Sequence, residues 1–448
     1  MSKITDYTVS FSLVRNYIVF AFKRYYGEYV VLGRENIPVN CPVIFAPNHI
    51  NAFMDAIAVH SIAPPKIPVI FLARADVFNN KTAVKILKFA KILPAFRMRD
   101  GIENLGKNNE TFEQCVEILY KNQALGIMPE GNQGEQRKLR PLVKGIFRIA
   151  FAAQHKYNIE PKVKIIPIGI DYGDLTKFGK HIIINIGKPI EISDYIQKHD
   201  ANPVTATNEI RDKLSTELNN LSLNLASDKH YQCFETITEI AALAFVEKLH
   251  LQDSTVSRFS ARQETAKKLI SIEKTDPEIM DNLELLCKEY SGLLEKLNLR
   301  NWVFEKNTKK GSNIILKGGM LLITLPFFIF GLLCNFLPFL LPVYLRKYIL
   351  KTEYEGFYSS LQFVIGIVTF PLFYLLQSLM FCGLICNTWW VILLFFFLQY
   401  PLGKIAIKWY STTKKFLAII RYINLTKKKS FDLLQAQRVQ EQIIRMIS

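Results

Sequence analysis

Two apolar stretches late in the chain, residues 318 to 345 and 360 to 403, constrain the fold more than any other feature. A run of about 20 apolar residues can cross the hydrocarbon core of a bilayer, where a helix satisfies its own backbone polar groups. The second stretch has room for two such passes meeting near Gly383. The first contains Pro326, Pro338 and Pro342, which sit badly in one straight helix because proline lacks an N–H and clashes with the carbonyl four residues back. Flanking charge narrows the choice. Lys306, Lys309, Lys310 and Lys317 precede the first stretch, Arg346, Lys347 and Lys351 follow it, and Lys404 and Lys408 follow the second. The turns expected near Asn335 and Gly383 carry no basic residue. Basic flanks favour the cytosolic side of a membrane, so residues 314–403 are expected to form a re-entrant hairpin followed by a transmembrane hairpin, with three plain spans as the alternative. Residues 404–448, with ten basic and two acidic side chains, then form a basic cytosolic tail. The expectation is an integral membrane protein whose remaining parts face the cytosol.

A chain of 448 residues exceeds one average domain, and its net charge of +17 needs an anionic partner. A bilayer surface and nucleic acid both fit that sign. The apolar stretches favour the bilayer, and the absence of zinc spacing, a helix-turn-helix signal or a basic-aromatic RNA-binding pattern argues against nucleic acid. Seven scattered cysteines suggest neither a disulfide framework nor a metal site. No signal peptide is expected, because the first apolar stretch is broken by Arg15, Asn16, Lys23 and Arg24. Phe11, Val14, Ile18 and Phe22 instead share one helical face, so residues 1–28 are read as an amphipathic helix at a membrane interface.

Between that helix and the apolar stretches, short β-type runs alternate with helical ones. Val43 to Ala46, Pro68 to Ala73, Ala124 to Met128 and Val163 to Ile168 read as buried strands, with helices around Ala56 to Ile62, Thr82 to Ala90, Asn109 to Tyr120 and Lys144 to Ala153. This order predicts an α/β domain with a mainly parallel sheet and flanking helices over residues 29–205, whose site lies in loops at the strand ends. Residues 206–313 read as a helical region, with Ile210, Leu214, Leu218 and Leu221 at helical spacing.

The first of these strands ends at Pro47, followed by Asn48-His49, and Asp55 comes six positions after the histidine. Imidazole titrates near neutral pH, and a carboxylate that fixes its tautomer lets it take a proton from a hydroxyl. His49 and Asp55 are therefore the candidate catalytic pair. No Gly-x-Ser-x-Gly nucleophile elbow occurs in the chain. His60, His155, His181, His199, His230 and His250 fall in no matching pattern and are read as structural or surface residues.

Three further blocks follow in order: Leu93-Pro94-Ala95-Phe96-Arg97, Gly126-Ile127-Met128-Pro129-Glu130-Gly131 and Val163-Lys164-Ile165-Ile166-Pro167. With Asn48-His49 and Asp55 they resemble the four motif blocks of the glycerolipid acyltransferase superfamily, over roughly residues 29 to 205. The resemblance implies transfer of an acyl chain, with acyl-CoA or acyl carrier protein as donor and no cofactor or metal. The implied acceptor is a hydroxyl of glycerol-3-phosphate or 1-acylglycerol-3-phosphate. Arg97 is the first choice for gripping the acceptor's phosphate, since a guanidinium binds phosphate oxygens in pairs. Glu130 is expected to anchor the loop or the acceptor hydroxyl, and Gly131 to let backbone amides approach a ligand. The chain departs from the pattern in two places. Five residues separate His49 from Asp55 where the common bacterial form has four, and this longer form resembles the fungal glycerol-3-phosphate acyltransferases. After Glu130-Gly131 the chain reads Asn132-Gln133-Gly134 where the family usually has Thr-Arg-Ser. Arg137, Lys138 or Arg140 is near enough in sequence to supply the missing charge, and Arg137 is taken as the candidate. The acceptor therefore stays open to another lysolipid or an amino-acid lipid, and a non-catalytic lipid-binding scaffold is the rival from a different class.

Overall fold

The protein is described by a computed structural model over residues 4–95, 105–157, 160–248, 250–305, 314–351, 354–386 and 388–447. It divides into two units, one formed by Met1–Asn224 with Glu353–Ser360 and the other by Leu225–Thr352 with Leu361–Ser448.

The first unit runs α1 (Val9–Tyr25), β1 (Glu28–Leu32), β2 (Val43–Pro47), α2 (Ala52–Ile62), β3 (Val69–Arg74), α3 (Lys81–Phe89) and β4 (Ile92–Ala95). It continues through α4 (Leu105–Tyr120), β5 (Ala124–Gly126), α5 (Gly145–Tyr157), β6 (Lys164–Tyr172), β7 (His181–Ile186), β8 (Ile190–Glu191), α6 (Ile196–Ala201) and α7 (Pro203–Leu221). The eight strands form one sheet in the order β1-β7-β6-β2-β5-β3-β4, with β8 paired to β6. The pairings β1–β7, β6–β2, β2–β5, β5–β3 and β3–β4 are parallel, and β7 and β8 are antiparallel to β6. The mainly parallel α/β class is therefore as the sequence predicts. All five residues of β2 are buried, as expected of a central strand covered on both faces. Ile44, Ile70, Leu125 and Ile165 of the sheet meet Phe147 and Phe151 of α5 and Leu214 of α7 in one apolar core. Helix α7 thus belongs with the sheet, and the unit extends past the expected boundary at residue 205.

Helix α1 does not show the expected face. Phe11 and Phe22 are buried, but Val14 is exposed and Arg15 is buried in its place. The Arg15 guanidinium donates to the carbonyls of Pro65 (2.7 Å), His60 (2.9 Å) and Ala63 (3.0 Å). A cation is favoured at the C-terminal end of a helix such as α2, where carbonyls lack intrahelical partners. The helix packs on its own unit through this arginine, while Val9, Leu13, Tyr17 and Phe20 form a separate exposed stripe.

In the second unit, α8 (Tyr231–Lys248), α9 (Thr255–Thr275) and α10 (Pro277–Leu297) pack with α14 (Phe431–Ile447), which buries Leu433, Ala436, Val439, Ile443 and Ile447 along one face. Helices α11 (Ile314–Tyr344), α12 (Tyr358–Phe381) and α13 (Trp389–Lys427) come between them in sequence. Three helical stretches, Ile314–Ile349, Glu355–Leu384 and Trp389–Lys427, are long and apolar enough to cross a membrane.

The re-entrant hairpin expected in the first apolar stretch is absent: α11 is one helix with Pro326, Pro338 and Pro342 inside it. Packing against α13 explains how a proline-bearing segment stays helical. At Gly331 a Cβ atom would lie 2.4 Å from the Leu402 carbonyl, so glycine lets the two backbones meet. One turn on, the Asn335 side chain donates to the carbonyls of Gly331 (2.9 Å) and Gln399 (3.1 Å) and accepts from the Tyr374 hydroxyl (2.5 Å). Asn335, expected at a turn, is thus a mid-helix link among three helices. Helix α13 continues unbroken to Lys427, so the basic segment after residue 403 begins inside it.

Candidate active site

The site is built where β2 hands over to α2. Asn48 acts as an extra strand residue: its backbone N–H donates to Ile168 O (3.1 Å), and its side chain exchanges two hydrogen bonds with the Ile170 backbone (2.7 and 3.1 Å). This pins the start of the loop to β6 and aims the next residue, His49. Its Nδ1 lies 2.9 Å from Asp55 Oδ2, with the His49 side chain 18% exposed and the Asp55 side chain fully buried.

Asp55 stands in the first turn of α2, where the helix dipole favours negative charge. Its Oδ2 also accepts the backbone N–H groups of Ile50 (2.9 Å) and Asn51 (2.8 Å), and its Oδ1 accepts the Tyr172 hydroxyl (2.6 Å). Burial first, and the Asp55 charge second, push the Tyr172 hydroxyl well above its ordinary pKa, so it keeps its proton and donates. An ionised carboxylate can only accept, which makes His49 Nδ1 a donor and leaves Nε2 with a free lone pair. Nε2 has no hydrogen-bond partner among the described residues, so it is the atom available to a substrate hydroxyl.

Glu130 reaches the same loop from the end of β5. Its Oε1 accepts the His49 backbone N–H (2.7 Å), and its Oε2 accepts Arg140 Nε (2.9 Å) and the Arg140 backbone N–H (3.1 Å). Burial raises its pKa, and the Arg140 guanidinium and these hydrogen bonds oppose the rise. Both oxygens are taken by the protein, so Glu130 holds the histidine backbone in place. Gly131 adopts φ +70°, a left-handed conformation open to glycine at little cost. The His49 carbonyl in turn accepts from the Gly134 N–H (2.9 Å).

Arg137 is buried and paired within the protein. Its Nε donates to Asp171 Oδ1 (3.2 Å) and a terminal nitrogen donates to Tyr172 O (2.5 Å), with both side chains of the pair buried. A buried carboxylate near the end of β6 thus pairs with Arg137, and its role as a substitute for the missing family arginine stays a proposal. Arg97 lies outside the described residues. Tyr172 is a part of the site that spacing in the sequence does not single out, whereas Asn48 and Arg140, noted beside the motif blocks, take the places of strand anchor and Glu130 partner.

Two clusters in other parts of the chain, His155 with His199 and Asp200 and His230 with Asp281 and Glu284, have spacing compatible with a metal ion. In the second, Lys229 lies 2.6 Å from Asp281 and Lys288 lies 2.7 Å from Glu284, so cations already neutralise both carboxylates.

Residues 28–171, from β1 into β6 and including His49, Asp55, Glu130 and Arg137, match the family model described as Acyltransferase. The chain therefore carries an acyltransferase-family domain. Among curated proteins it is 29% identical over 143 residues to glycerol-3-phosphate O-acyltransferase 1 of Saccharomyces cerevisiae, covering 31% of this chain and 19% of that protein. It is 21% identical over 212 residues to 1-acyl-sn-glycerol-3-phosphate acyltransferase of Borreliella burgdorferi, covering 43% of this chain and 73% of that protein. The match thus spans about a fifth of the yeast protein's length. A crystal structure of the 1-acyl-sn-glycerophosphate (LPA) acyltransferase PlsC from Thermotoga maritima aligns with 17% identity and a TM-score of 0.34, over 46% of this chain and 79% of that one.

Proposed function

We propose that the chain is a membrane-bound O-acyltransferase that moves an acyl group from acyl-CoA or acyl carrier protein to a hydroxyl of glycerol-3-phosphate or 1-acylglycerol-3-phosphate. The supporting observation is the His49–Asp55 pair, with Nε2 free and the carboxylate held by four donors. In this reading His49 Nε2 removes the acceptor hydroxyl proton as the oxygen attacks the thioester carbonyl. The carbon–sulfur bond then breaks, and the leaving thiolate takes the proton back from the imidazolium. Asp55 supports the imidazolium charge between these steps. The bilayer is the partner of the apolar helices, and the catalytic unit faces the cytosol. Arg97 remains the residue proposed to grip phosphate.

A second reading keeps the chemistry and changes the acceptor. Arg137 is tied to Asp171 and Arg140 to Glu130, which favours a lysolipid or amino-acid lipid whose recognition does not need an arginine from this loop. Purified full-length protein offered labelled acyl-CoA and a panel of phosphorylated and unphosphorylated acceptors separates the two. His49→Ala should lower the rate by about two to four orders of magnitude. A folded His49→Ala protein with wild-type activity would overturn the mechanism, and lipid binding without transfer to any acceptor would favour a scaffold.

A further inference from the structure

The segment Tyr354–Ser360, which follows α11 in sequence and runs into α12, packs on the loop that carries His49. The Ser359 hydroxyl donates to Asn51 Oδ1 (2.8 Å), and the Ser360 hydroxyl donates to the Asn51 carbonyl (3.1 Å). Ser359 is 2% exposed, Ser360 0% and Asn51 1%. Asn51 precedes the first turn of α2, where asparagine usually caps the helix with its side chain. It makes no such bond here, and its Oδ1 accepts from the serines. Its backbone N–H donates to Asp55 Oδ2, the same oxygen that holds His49 Nδ1.

Two more contacts seat the segment. Gly356 passes so close to the neighbouring loops that a Cβ would lie 2.1 Å from Gln133 Nε2 and 3.3 Å from Ile50 O. The Phe357 ring stands edge-on to Phe53, with centroids 6.4 Å apart. Beneath them Ala52 has φ +38°, a conformation that a residue with a Cβ keeps only when its surroundings enforce it. The Asn51 carbonyl gripped by Ser360 belongs to the peptide bond leading into Ala52, so that bond is held from outside the loop.

We propose that Ser359 and Ser360 are positioning residues for the His49–Asp55 pair, acting through Asn51. The segment holds Asn51 by its side chain and its carbonyl, and so fixes the residue whose own N–H, on the preceding peptide unit, points at the Asp55 oxygen that orients the imidazole. The inference rests on the reading of His49 as the base.

The test uses full-length protein in detergent micelles, comparing wild type with Ser359→Ala, Ser360→Ala and the double variant. The double variant should lose roughly tenfold to a hundredfold in kcat, because small misplacements of a catalytic group are costly in rate. The acceptor KM should change less than about threefold, since a base acts on the chemical step more than on binding. Amide exchange in peptides covering residues 48–56 should quicken, while that of α8 to α10 stays as in wild type. The single variants carry the same test in milder form if the double variant unfolds. Unchanged exchange at residues 48–56 would overturn the proposal, and so would faster exchange with wild-type kcat. Wild-type protein that transfers acyl groups to no acceptor would sink the functional reading instead. Exchange would then still decide whether the serines hold the Asp55 loop.

Discussion

Replacing Tyr172 by Phe isolates the support beneath the catalytic pair. The ring is fully buried and phenylalanine keeps it, so the change is confined to one hydroxyl and its 2.6 Å hydrogen bond to Asp55 Oδ1. Asp55 keeps its other three donors on Oδ2 and is left with a bare, buried Oδ1. A hydrogen bond to a charged group contributes about 1.5 to 3 kcal/mol, and stranding one partner in the interior exposes the full desolvation cost. For a unit of this size that corresponds to a fall of roughly 3 to 12 °C in its melting temperature. His49→Ala should behave in the opposite way, with a large rate loss and little change in melting, because the His49 side chain is partly exposed and its loop is held by Asn48 and Glu130. The assay pairs a thermal melt followed by circular dichroism with initial rates of acyl transfer for both variants. Should Tyr172→Phe leave the melt and kcat both unchanged, the carboxylate is not held as described and the argument fails.

Two further predictions concern groups outside the catalytic pair. Arg137→Met removes the guanidinium paired with the buried Asp171 carboxylate and should destabilise the protein by roughly 3 to 5 kcal/mol, with much of the loss recovered in Arg137→Met/Asp171→Asn. A rise in KM for a phosphorylated acceptor with no loss of stability would return Arg137 to a binding role. Burial lowers the His60 pKa to about 3 from an ordinary 6.5, with the Arg15 charge adding to the effect. The folded protein therefore holds His60 neutral while the unfolded chain protonates it, so stability is full above pH 6.5 and falls as pH drops from there toward 3. Denaturant melts of His60→Phe should show a shallower loss across that window, and an identical slope would contradict the assignment.

Much of this architecture is legible from local pattern. The strand–turn–helix around His49 reads directly, because an apolar run, a proline and a helical apolar stretch fall within twenty residues of one another. His49 and Asp55 come together for the same reason: six positions bridge the turn from a strand end to the first turn of the next helix. Contacts made across the sheet are invisible in that way. Tyr172 reaches Asp55 over 117 residues and carries no local sign of doing so. Arg137 stands close to a motif block in sequence, but its pairing with Asp171 on β6 has no local sign. The same limit explains α1, where Arg15 counts as polar until the carbonyls at the end of α2 are in place, and α11, where three prolines suggest a break that packing against α13 prevents.

The reach of the Ser359 contact has a consequence for how the protein is made. Asn51 and Ser359 are 308 residues apart, and a ribosome adding roughly 5 to 20 residues per second takes about 15 to 60 s to cover that distance. The chain up to Asn224 contains every strand of the sheet, so the sheet can assemble while the rest is still being synthesised. The serines emerge only after the whole of α11 has been translated. For that interval the nascent chain has its His49 loop without the Asn51 partners, and its last hydrogen bonds form only once translation has passed the first apolar helix.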